Sequence, residues 1–295
     1  MNTLKIYFED MWGYDTYQFN PHNNYFVNLF KQDYNVVIDS NPDILIYSVF
    51  GSNNRRYNCK KIFFCGENIG HNFKHPKDEQ CDVSLSQFAD EDRNIYFPLW
   101  CIFVNWFNEQ QPRPLPSNPT FHTNIQDLIS PPSYSKTKFC AFINNNPIEN
   151  RIKIFELLSK YKKVDSYGNL FNNVGTVLRG SEQAKIDVLK DYKFTIAFEN
   201  SYHPGYNTEK IIQPLSVNCI PLYWGGEQVK NHFNMNKIVF ANNFTNLEHM
   251  AEVIINMDKD NTVYDYAQTL PGIQDAFFNF APEKILLRVK AALHL

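Results

Sequence analysis

The stretch KFTIAFENSYHPGYNTEKIIQPLSVNCIPLYWGG, residues 193–226, indicates both the fold and the chemistry of this chain. Residues 194–198 are largely apolar and predict a buried strand, and residues 220–223 predict the next one. Between them, residues 200–207 hold the proline and glycine of a loop, and Thr208 is placed to begin a short helix. The loop and the helix start therefore lie at the carboxyl end of a strand, where open α/β sheets bind their ligands.

The polar side chains of this turn suit a nucleoside diphosphate. Thr208 can cap the helix, whose free N–H groups and positive dipole end attract phosphate oxygens. Glu209 can accept hydrogen bonds from both hydroxyls of a ribose, and Asn200 offers a donor and an acceptor together. Lys210 and the hydroxyl of Tyr206 can meet the charge that builds on a departing diphosphate. Taken singly, each residue is also typical of an ordinary helix start.

The strings FEN, GYNTEK and IPLYWG of this stretch together resemble the signature of the α1,3-fucosyltransferases. Three further segments resemble that family in the same order: FCGENIGHNF at 64–73, YFPLW at 96–100 and FCAFINNNPIENR at 139–151. The similarity covers most of the chain from EDMWGYD at 9–15 onward. The resemblance implies an inverting transfer of fucose from GDP-fucose to a GlcNAc hydroxyl of a glycan, most directly in an α1,3 linkage. The alternatives are another GDP-sugar or acceptor and, last, a catalytically inactive glycan-binding module.

Length and composition fit a two-domain soluble enzyme. At 295 residues with 43% hydrophobic content, the chain is long enough to fill two cores. Its 28 basic and 31 acidic residues give a net charge of −3 and form no long basic run, so we expect no nucleic-acid partner. No apolar stretch approaches ~18 residues and the first residues lack the order of a signal peptide. We therefore expect a cytoplasmic protein of the bacterial or viral type.

Two apolar strand patterns, one in each half, predict the domain organisation. Strands are predicted at 4–8, 36–38, 44–47, 61–65, 83–85, 139–143, 164–167, 194–198 and 220–223, and helices at 148–158 and 182–189. Strands followed by helices imply two parallel sheets, and a Pro/Ser/Thr-rich stretch at 110–137 separates them. Together with the resemblance, this predicts an α/β protein of the GT-B fold, with two Rossmann-like domains facing across a cleft. We expect an acceptor-side domain at 1–133, a GDP-sugar-binding domain at 134–270 and a final segment, 271–295, that returns to the first domain.

Arg151 is a candidate ligand of the pyrophosphate. Asn146, Pro147 and Glu149 fit an N-cap, a first helical position and a residue three after the cap, so the helix is expected to begin at the end of the strand at 139–143. Arg151 then lies near the first turn, where its planar fork could bind two phosphate oxygens. Arg151 also matches the family arginine that contacts the diphosphate.

Glu67 is the candidate general base. A sugar hydroxyl is too weakly acidic to attack well at neutral pH, so inversion needs one carboxylate to take its proton. Glu67 follows the strand at 61–65, in a loop at its carboxyl end, and it matches the glutamate of the family's GEN, the proposed base. Inversion needs only one such carboxylate, unlike the double displacement of retaining glycosidases.

The sequence gives no sign of an obligatory metal. Asp90, Glu91 and Asp92 imitate the metal-binding DxD of the other glycosyltransferase fold, but their place before YFPLW predicts a solvated acidic turn. The resemblance implies that Lys, Arg and helix ends hold the leaving diphosphate, with a divalent metal at most stimulatory. The cysteines form no C-x-x-C pair or zinc spacing, so we expect reduced thiols.

Acceptor binding and association leave weaker signals. Trp12 and Tyr14 follow the first strand and could stack on a sugar ring, and His71 lies four residues after Glu67 and could assist it or the acceptor. Residues 282–295 have apolar positions at helical spacing, with few cations for an anionic-lipid anchor, so a peripheral membrane contact stays an open alternative. Pro214 lies inside the helix that Thr208 opens, which must be short or kinked. The sequence predicts no oligomeric state.

Overall fold

The computed structural model describes residues 1–12, 19–68, 75–108, 122–178 and 182–295. The described chain forms two compact units. Unit 1 comprises the described residues of 1–121 together with 203–206 and 277–295. Unit 2 comprises the described residues of 122–202 and 207–276.

The strands and helices are numbered in chain order. The strands are β1 (Thr3–Glu9), β2 (Asn35–Ile38), β3 (Ile44–Tyr47), β4 (Lys60–Cys65), β5 (Val83–Ser86), β6 (Asn94–Tyr96), β7 (Val104–Asn105), β8 (Thr123–Asn124), β9 (Lys138–Phe142), β10 (Val164–Ser166), β11 (Tyr192–Phe198), β12 (Ile220–Trp224) and β13 (Val239–Phe240). The α-helices are α1 (Tyr25–Phe30), α2 (Ile125–Ile129), α3 (Glu149–Ser159), α4 (Glu182–Leu189), α5 (Glu209–Ser216), α6 (Val229–His232), α7 (Leu247–Lys259), α8 (Asn261–Gln268) and α9 (Pro282–Leu293).

Unit 1 contains a six-stranded parallel sheet in the order β2-β1-β3-β4-β5-β6. All four residues of the central strand β3 are buried, as expected for a parallel strand that is covered on both faces. The carboxyl ends of β4 and β5 lie side by side, because Cys65 is paired with Ser86. The residues that follow these two strands are therefore neighbours at one edge of the sheet.

Helix α9 belongs to unit 1. Its buried side chains include Ile285, Leu286, Val289 and Leu293, which form one apolar face. Two of its cations, Arg288 and Lys290, pair within unit 1 with Asp90 at 2.6 Å and Asp33 at 2.5 Å. These cations therefore have carboxylate partners on the protein itself. Within the described residues, no helix has both the length and the apolar character needed to cross a membrane.

Unit 2 contains a five-stranded parallel sheet in the order β10-β9-β11-β12-β13. Its core includes Phe139, Phe194, Ile196, Leu222 and Ile254, all at most 3% exposed. Strands β9 and β11 are direct neighbours at the centre of this sheet. Helices α3 and α5 begin within eleven residues of the ends of these two strands, so their first turns lie near the carboxyl edge.

The structure confirms the predicted parallel sheets and each of the strands and helices predicted above, with ends that shift by one or two residues. The division into units falls at other places than the expected domain boundaries. Residues 122–133 lie in unit 2, since α2 packs on α5 and the carbonyl of Leu128 accepts the Gly272 N–H. The same hydrogen bond holds residues 271–276 in unit 2, so the returning segment begins at Phe277.

Candidate active site

A cavity of about 230 Å³ lies in unit 2 at the carboxyl ends of β9 and β11. Its walls are the chain that follows β9, the first turn of α3, one side of α4 and the first turns of α5. Four of the six residues predicted to bind the donor line it: Arg151, Asn200, Glu209 and Lys210. Two cations and a carboxylate therefore face one polar space at the edge where α/β sheets bind ligands.

Arg151 is buried, with 1% of its surface exposed. Its Nε and Nη2 donate to the main-chain oxygen of Phe198, the last residue of β11, at 3.1 and 2.5 Å. Nη2 also donates to Oδ1 of Asn200 at 2.7 Å, and Nη1 donates to the main-chain oxygen of Asn146 at 3.3 Å. Because a guanidinium stays protonated in proteins, these acceptors fix a positive charge in the cavity wall.

The start of α3 differs from the sequence prediction. Asn146 is not the N-cap, because the helix begins at Glu149 and Ile148 occupies the cap position without a side-chain hydrogen bond. Ile148 is extended, with φ −85° and ψ 134°, so the helix does not reach back to Pro147. The carbonyl of Asn146 binds Arg151 instead.

Thr208 is the N-cap of α5, as predicted, and its side chain accepts from the Lys210 N–H. The Thr208 hydroxyl lies 2.9 Å from each carboxylate oxygen of Glu199, and the Thr208 N–H donates to Oε1 of Glu199 at 2.8 Å. Glu199 directly follows β11 and has no exposed surface. Its carboxylate therefore ties the end of β11 to the start of α5.

The ammonium of Lys210 lies among three oxygen atoms. Its Nζ is 3.2 Å from Oε2 of Glu199, 3.3 Å from Oε1 of Glu209 and 3.1 Å from Oγ1 of Thr208. Burial opposes ionisation of Glu209, but the charges of Lys210 and Lys185 outweigh it and lower the pKa of the Glu209 carboxyl. Glu209 is thus an ionised acceptor, which is the state that ribose hydroxyls require.

The glycine of the YWG string leaves room for this network. The Tyr223 hydroxyl donates to Oε1 of Glu199 at 3.0 Å and accepts from Nδ2 of Asn207 at 2.9 Å. A Cβ on Gly225 would lie 2.6 Å from the Tyr223 oxygen and 2.8 Å from Cγ of Glu199. Any side chain at position 225 would displace the carboxylate that holds Lys210.

Sequence reasoning missed two residues of this site, Glu199 and Lys185. Lys185, on α4, lines the cavity and pairs with Oε1 of Glu182 at 2.8 Å. The signal for Glu199 was present, since an acidic residue directly after a buried strand needs a partner. Lys185 gave no local signal, because a lysine on a helix is usually solvated.

The candidate base, Glu67, lies in unit 1, two residues after the end of β4, and is half-buried. Its main-chain oxygen accepts from Nε2 of Gln87 at 2.9 Å and from Sγ of Cys65 at 3.4 Å. Burial raises the pKa of Cys65 to about 12, so the thiol keeps the proton that it donates. A Cβ on Gly66 would lie 2.6 Å from a methyl carbon of Leu99, so the glycine of GEN and the leucine of YFPLW are packing partners.

The remaining predicted site residues lie apart from the cavity lining. Tyr206 is 5% exposed and belongs to unit 1 and not to the donor half, because the chain leaves unit 2 over 203–206. Trp12 is half-buried and packs edge to face against Phe19 and Phe64, with ring centroids 5.4 and 5.9 Å apart. Tyr14 and His71 lie outside the described residues.

The acidic run at 90–92 is an exposed turn, as predicted. Oδ1 of Asp90 accepts from the Tyr96 N–H at 2.6 Å and pairs with Nη2 of Arg288. Glu91 pairs with Lys77 at 2.6 Å. Protein groups therefore compensate the charges of Asp90 and Glu91.

Two family models match this chain. Residues 133–268 match the C-terminal model of glycosyltransferase family 10, the fucosyltransferases, and residues 6–103 match the model of the α-(1,3)-fucosyltransferase FucT N-terminal domain. Over 149 residues the chain is 37% identical to a protein of Acanthamoeba polyphaga mimivirus named as a fucosyltransferase. This alignment covers 48% of this chain and 24% of that protein. Over 323 residues the chain is 26% identical to the α-(1,3)-fucosyltransferase FucT of Helicobacter pylori. This alignment covers 98% of this chain and 66% of that protein.

The chain thus spans about a quarter of the length of the first relative and just under two thirds of the second. A crystal structure of an α1,3-fucosyltransferase with GDP-fucose superimposes with a TM-score of 0.73 at 22% identity, over 100% of this chain and 92% of that one. This likeness confirms the predicted GT-B fold. Because two fucosyltransferase family models match the N-terminal and the C-terminal part of this chain, the chain belongs to glycosyltransferase family 10, the fucosyltransferases.

Proposed function

We propose that this protein transfers L-fucose from GDP-fucose to a GlcNAc hydroxyl of a glycan, with inversion and with an α1,3 linkage. The observation that carries the proposal is the convergence of Arg151, Lys210 and the ionised Glu209 on one cavity in unit 2. Membership in a fucosyltransferase family and the GDP-fucose in the compared crystal structure support this donor.

The diphosphate would bind at the end of the cavity that holds the cations. Arg151 supplies a fixed guanidinium, and Lys210 supplies an ammonium beside the first turn of α5. Asn200 accepts from Arg151 through Oδ1, which leaves its amide hydrogens for the donor. Glu209 would accept the ribose hydroxyls, and the hydroxyl of Tyr206 would add a further donor to the phosphates.

Departure of GDP places negative charge on the β-phosphate. Glu199 and Glu209 already hold the Lys210 ammonium beside the first turn of α5, with only a fifth of the side chain exposed. Preorganised charges of this kind stabilise a leaving group without a reorganisation cost. We propose that these groups and the start of α5 suffice, with no obligatory metal.

Glu67 would take the proton from the acceptor hydroxyl as the new bond forms. Its position two residues after β4 and its half-buried side chain suit a carboxylate that must reach a substrate. Trp12, Tyr14 and His71 are proposed to contact the acceptor. The six free cysteines suit a reducing compartment, so we place the reaction in the cytoplasm.

A donor and acceptor screen tests the proposal. The protein is incubated with GDP-fucose, GDP-mannose and other GDP-sugars in the presence of a glycan array, and products are identified by mass spectrometry and linkage analysis. The expected result is fucose on GlcNAc in an α1,3 linkage. Transfer of another sugar would identify a different donor, and glycan binding without any transfer would identify an inactive binding module.

A further inference from the structure

Gln87 contacts the candidate base loop from the neighbouring strand. It directly follows β5, whose end is paired with the end of β4, and it is 3% exposed. Its Nε2 donates to the main-chain oxygen of Glu67 at 2.9 Å. One side-chain amide thus holds the backbone of the residue proposed as base.

The amide of Gln87 has one satisfied end and one unsatisfied end. The carbonyl of Glu67 can only accept, so the nitrogen of the amide must face it. Within the described part of the chain, Oε1 of Gln87 is buried and has no hydrogen-bond partner. A buried unpaired oxygen costs about 1–3 kcal/mol, so the polar side chain is not explained by stability alone.

A short strap, residues 203–206, locks the backbone of Gln87. The strap lies in unit 1, although the residues on both sides of it belong to unit 2. A Cβ on Gly205 would lie 2.1 Å from the main-chain oxygen of Gln87 and 2.7 Å from the ring of Tyr96. The ring of His203 also packs against that of Phe88, with centroids 4.6 Å apart. The strap therefore rests directly on Gln87, and only glycine fits at the contact.

We infer that Gln87 is a positioning residue for Glu67 and that the close contact with Gly205 of the strap fixes the position of the Gln87 backbone. The inference rests on the proposed function, in which Glu67 is the base. Proton transfer depends steeply on placement, and an error of about 1 Å can cost about 100-fold in rate. The strap ends at Tyr206, two residues before the cap of the donor-side helix α5, so one loop both positions the base and leads into the donor site.

A double-mutant cycle between Gln87 and Glu67 tests this role. Gln87→Met keeps length and burial but removes the amide, and kcat should fall at least about tenfold with the affinity for GDP within twofold of wild type. In a Glu67→Gln background, the same change should lower the residual kcat less than about twofold, because no base remains to be placed. Equal losses in both backgrounds would show a merely structural role and overturn the inference.

A second variant tests the same role if Gln87→Met does not fold. Gly205→Ala adds one methyl group against the Gln87 carbonyl, and it should lower kcat in the wild-type background and not in Glu67→Gln. Gln274→Met removes a similar bond, from Nε2 to the Phe233 carbonyl at 2.8 Å in unit 2, and should leave kcat within twofold. Full activity of both Gln87→Met and Gly205→Ala would also overturn the inference. A Glu67→Gln enzyme close to wild type would instead remove the proposed base.

Discussion

The donor cavity of unit 2 and the Glu67 loop of unit 1 both follow the carboxyl ends of parallel strands, but they hold their charged groups differently. Beside the cavity, Glu199 is fully buried and bound by the N–H and hydroxyl of Thr208, by Tyr223 and by Lys210. At the base loop, the described contacts include one amide and one thiol, and both reach the main chain of Glu67.

The difference fits the two tasks. A binding site for a diphosphate gains from charges that are fixed before the ligand arrives, and a buried network fixes them. A general base must take up and release a proton in every cycle, and the bonds from Gln87 and Cys65 hold the main chain of Glu67. Substitutions on the donor side are therefore expected to lower the affinity for GDP and the stability, and substitutions on the base side to lower kcat.

The largest expected effect is on the base side. Glu67→Gln keeps the shape and the hydrogen-bonding capacity but cannot accept a proton, so kcat should fall ~10²–10⁴-fold. The affinity for GDP should stay within about twofold, because Arg151 and Lys210, which are proposed to bind the diphosphate, line the cavity of unit 2. Steady-state kinetics and calorimetry measure the two quantities. A variant that turns over within about threefold of wild type would refute the base assignment, and His71 would be the next residue to change.

A loss of stability should distinguish the donor side. Glu199→Ala leaves the Thr208 N–H and the Tyr223 hydroxyl without their buried acceptor, and we expect the free energy of unfolding to fall by about 3 kcal/mol. Glu199→Gln preserves the volume and should cost less. Urea unfolding measures both, and a loss below about 1 kcal/mol in Glu199→Ala would show that the network does not stabilise the fold.

GDP binding should depend on the two cations Arg151 and Lys210. Arg151→Ala and Lys210→Ala should each weaken GDP binding by ~1.5–3 kcal/mol, the range for a hydrogen bond to a charged group. Lys210→Arg should restore binding only in part, because the guanidinium is bulkier than the ammonium. Lys162→Ala, which removes an exposed partner of Asp258, serves as a control with unchanged affinity. Unchanged GDP affinity by calorimetry in both Ala variants would remove these two residues from the donor site.

The dependence of stability on pH should show the lowered pKa of the Glu209 carboxyl. Because its pKa in the folded protein is lowered from 4.5, Glu209 contributes stability that is fully present above that pH and is lost as the pH falls through the folded value. Lys185→Met removes one of the cations that lower this pKa, so the variant should be less stable than wild type above pH 4.5. The difference in the free energy of unfolding between wild type and Lys185→Met should become smaller at lower pH.

Urea unfolding between pH 3.5 and 7 measures this gap, which we expect to be below about 1 kcal/mol. Lys190→Met is the matched control, since Lys190 lies just after the same helix and pairs with Asp187 at 2.6 Å. A gap for Lys185→Met that does not change with pH would contradict the electrostatic link between Lys185 and Glu209.

The smallest expected effect concerns metals. If cationic side chains carry the charge of the leaving group, activity should survive a chelator at least in part. The rate of transfer is measured in EDTA and again after addition of Mn²⁺. Complete loss that Mn²⁺ reverses would point to a required metal and return attention to Asp90 and Asp92.

Local patterns were enough for the secondary structure near the site. The apolar run 44–47 gave β3 with the observed ends, and Thr208 before Glu209 gave the cap of α5, because strand burial and capping depend on residues that are close in sequence. The cap predicted at Asn146 was wrong, because the backbone of Ile148 is extended and the helix begins only at Glu149.

The two parallel sheets, the family, the loop that carries Glu67 and the helices that carry Arg151 and Lys210 follow from the sequence alone, because they depend on apolar periodicity and contiguous motifs. The contacts between distant groups are visible only in three dimensions. The carboxylate of Glu199 meets Tyr223 through the pairing of β11 with β12, and Gly205 meets Gln87 through a loop that crosses between units. Contacts between residues far apart in the chain depend on packing in three dimensions, and no local pattern encodes them.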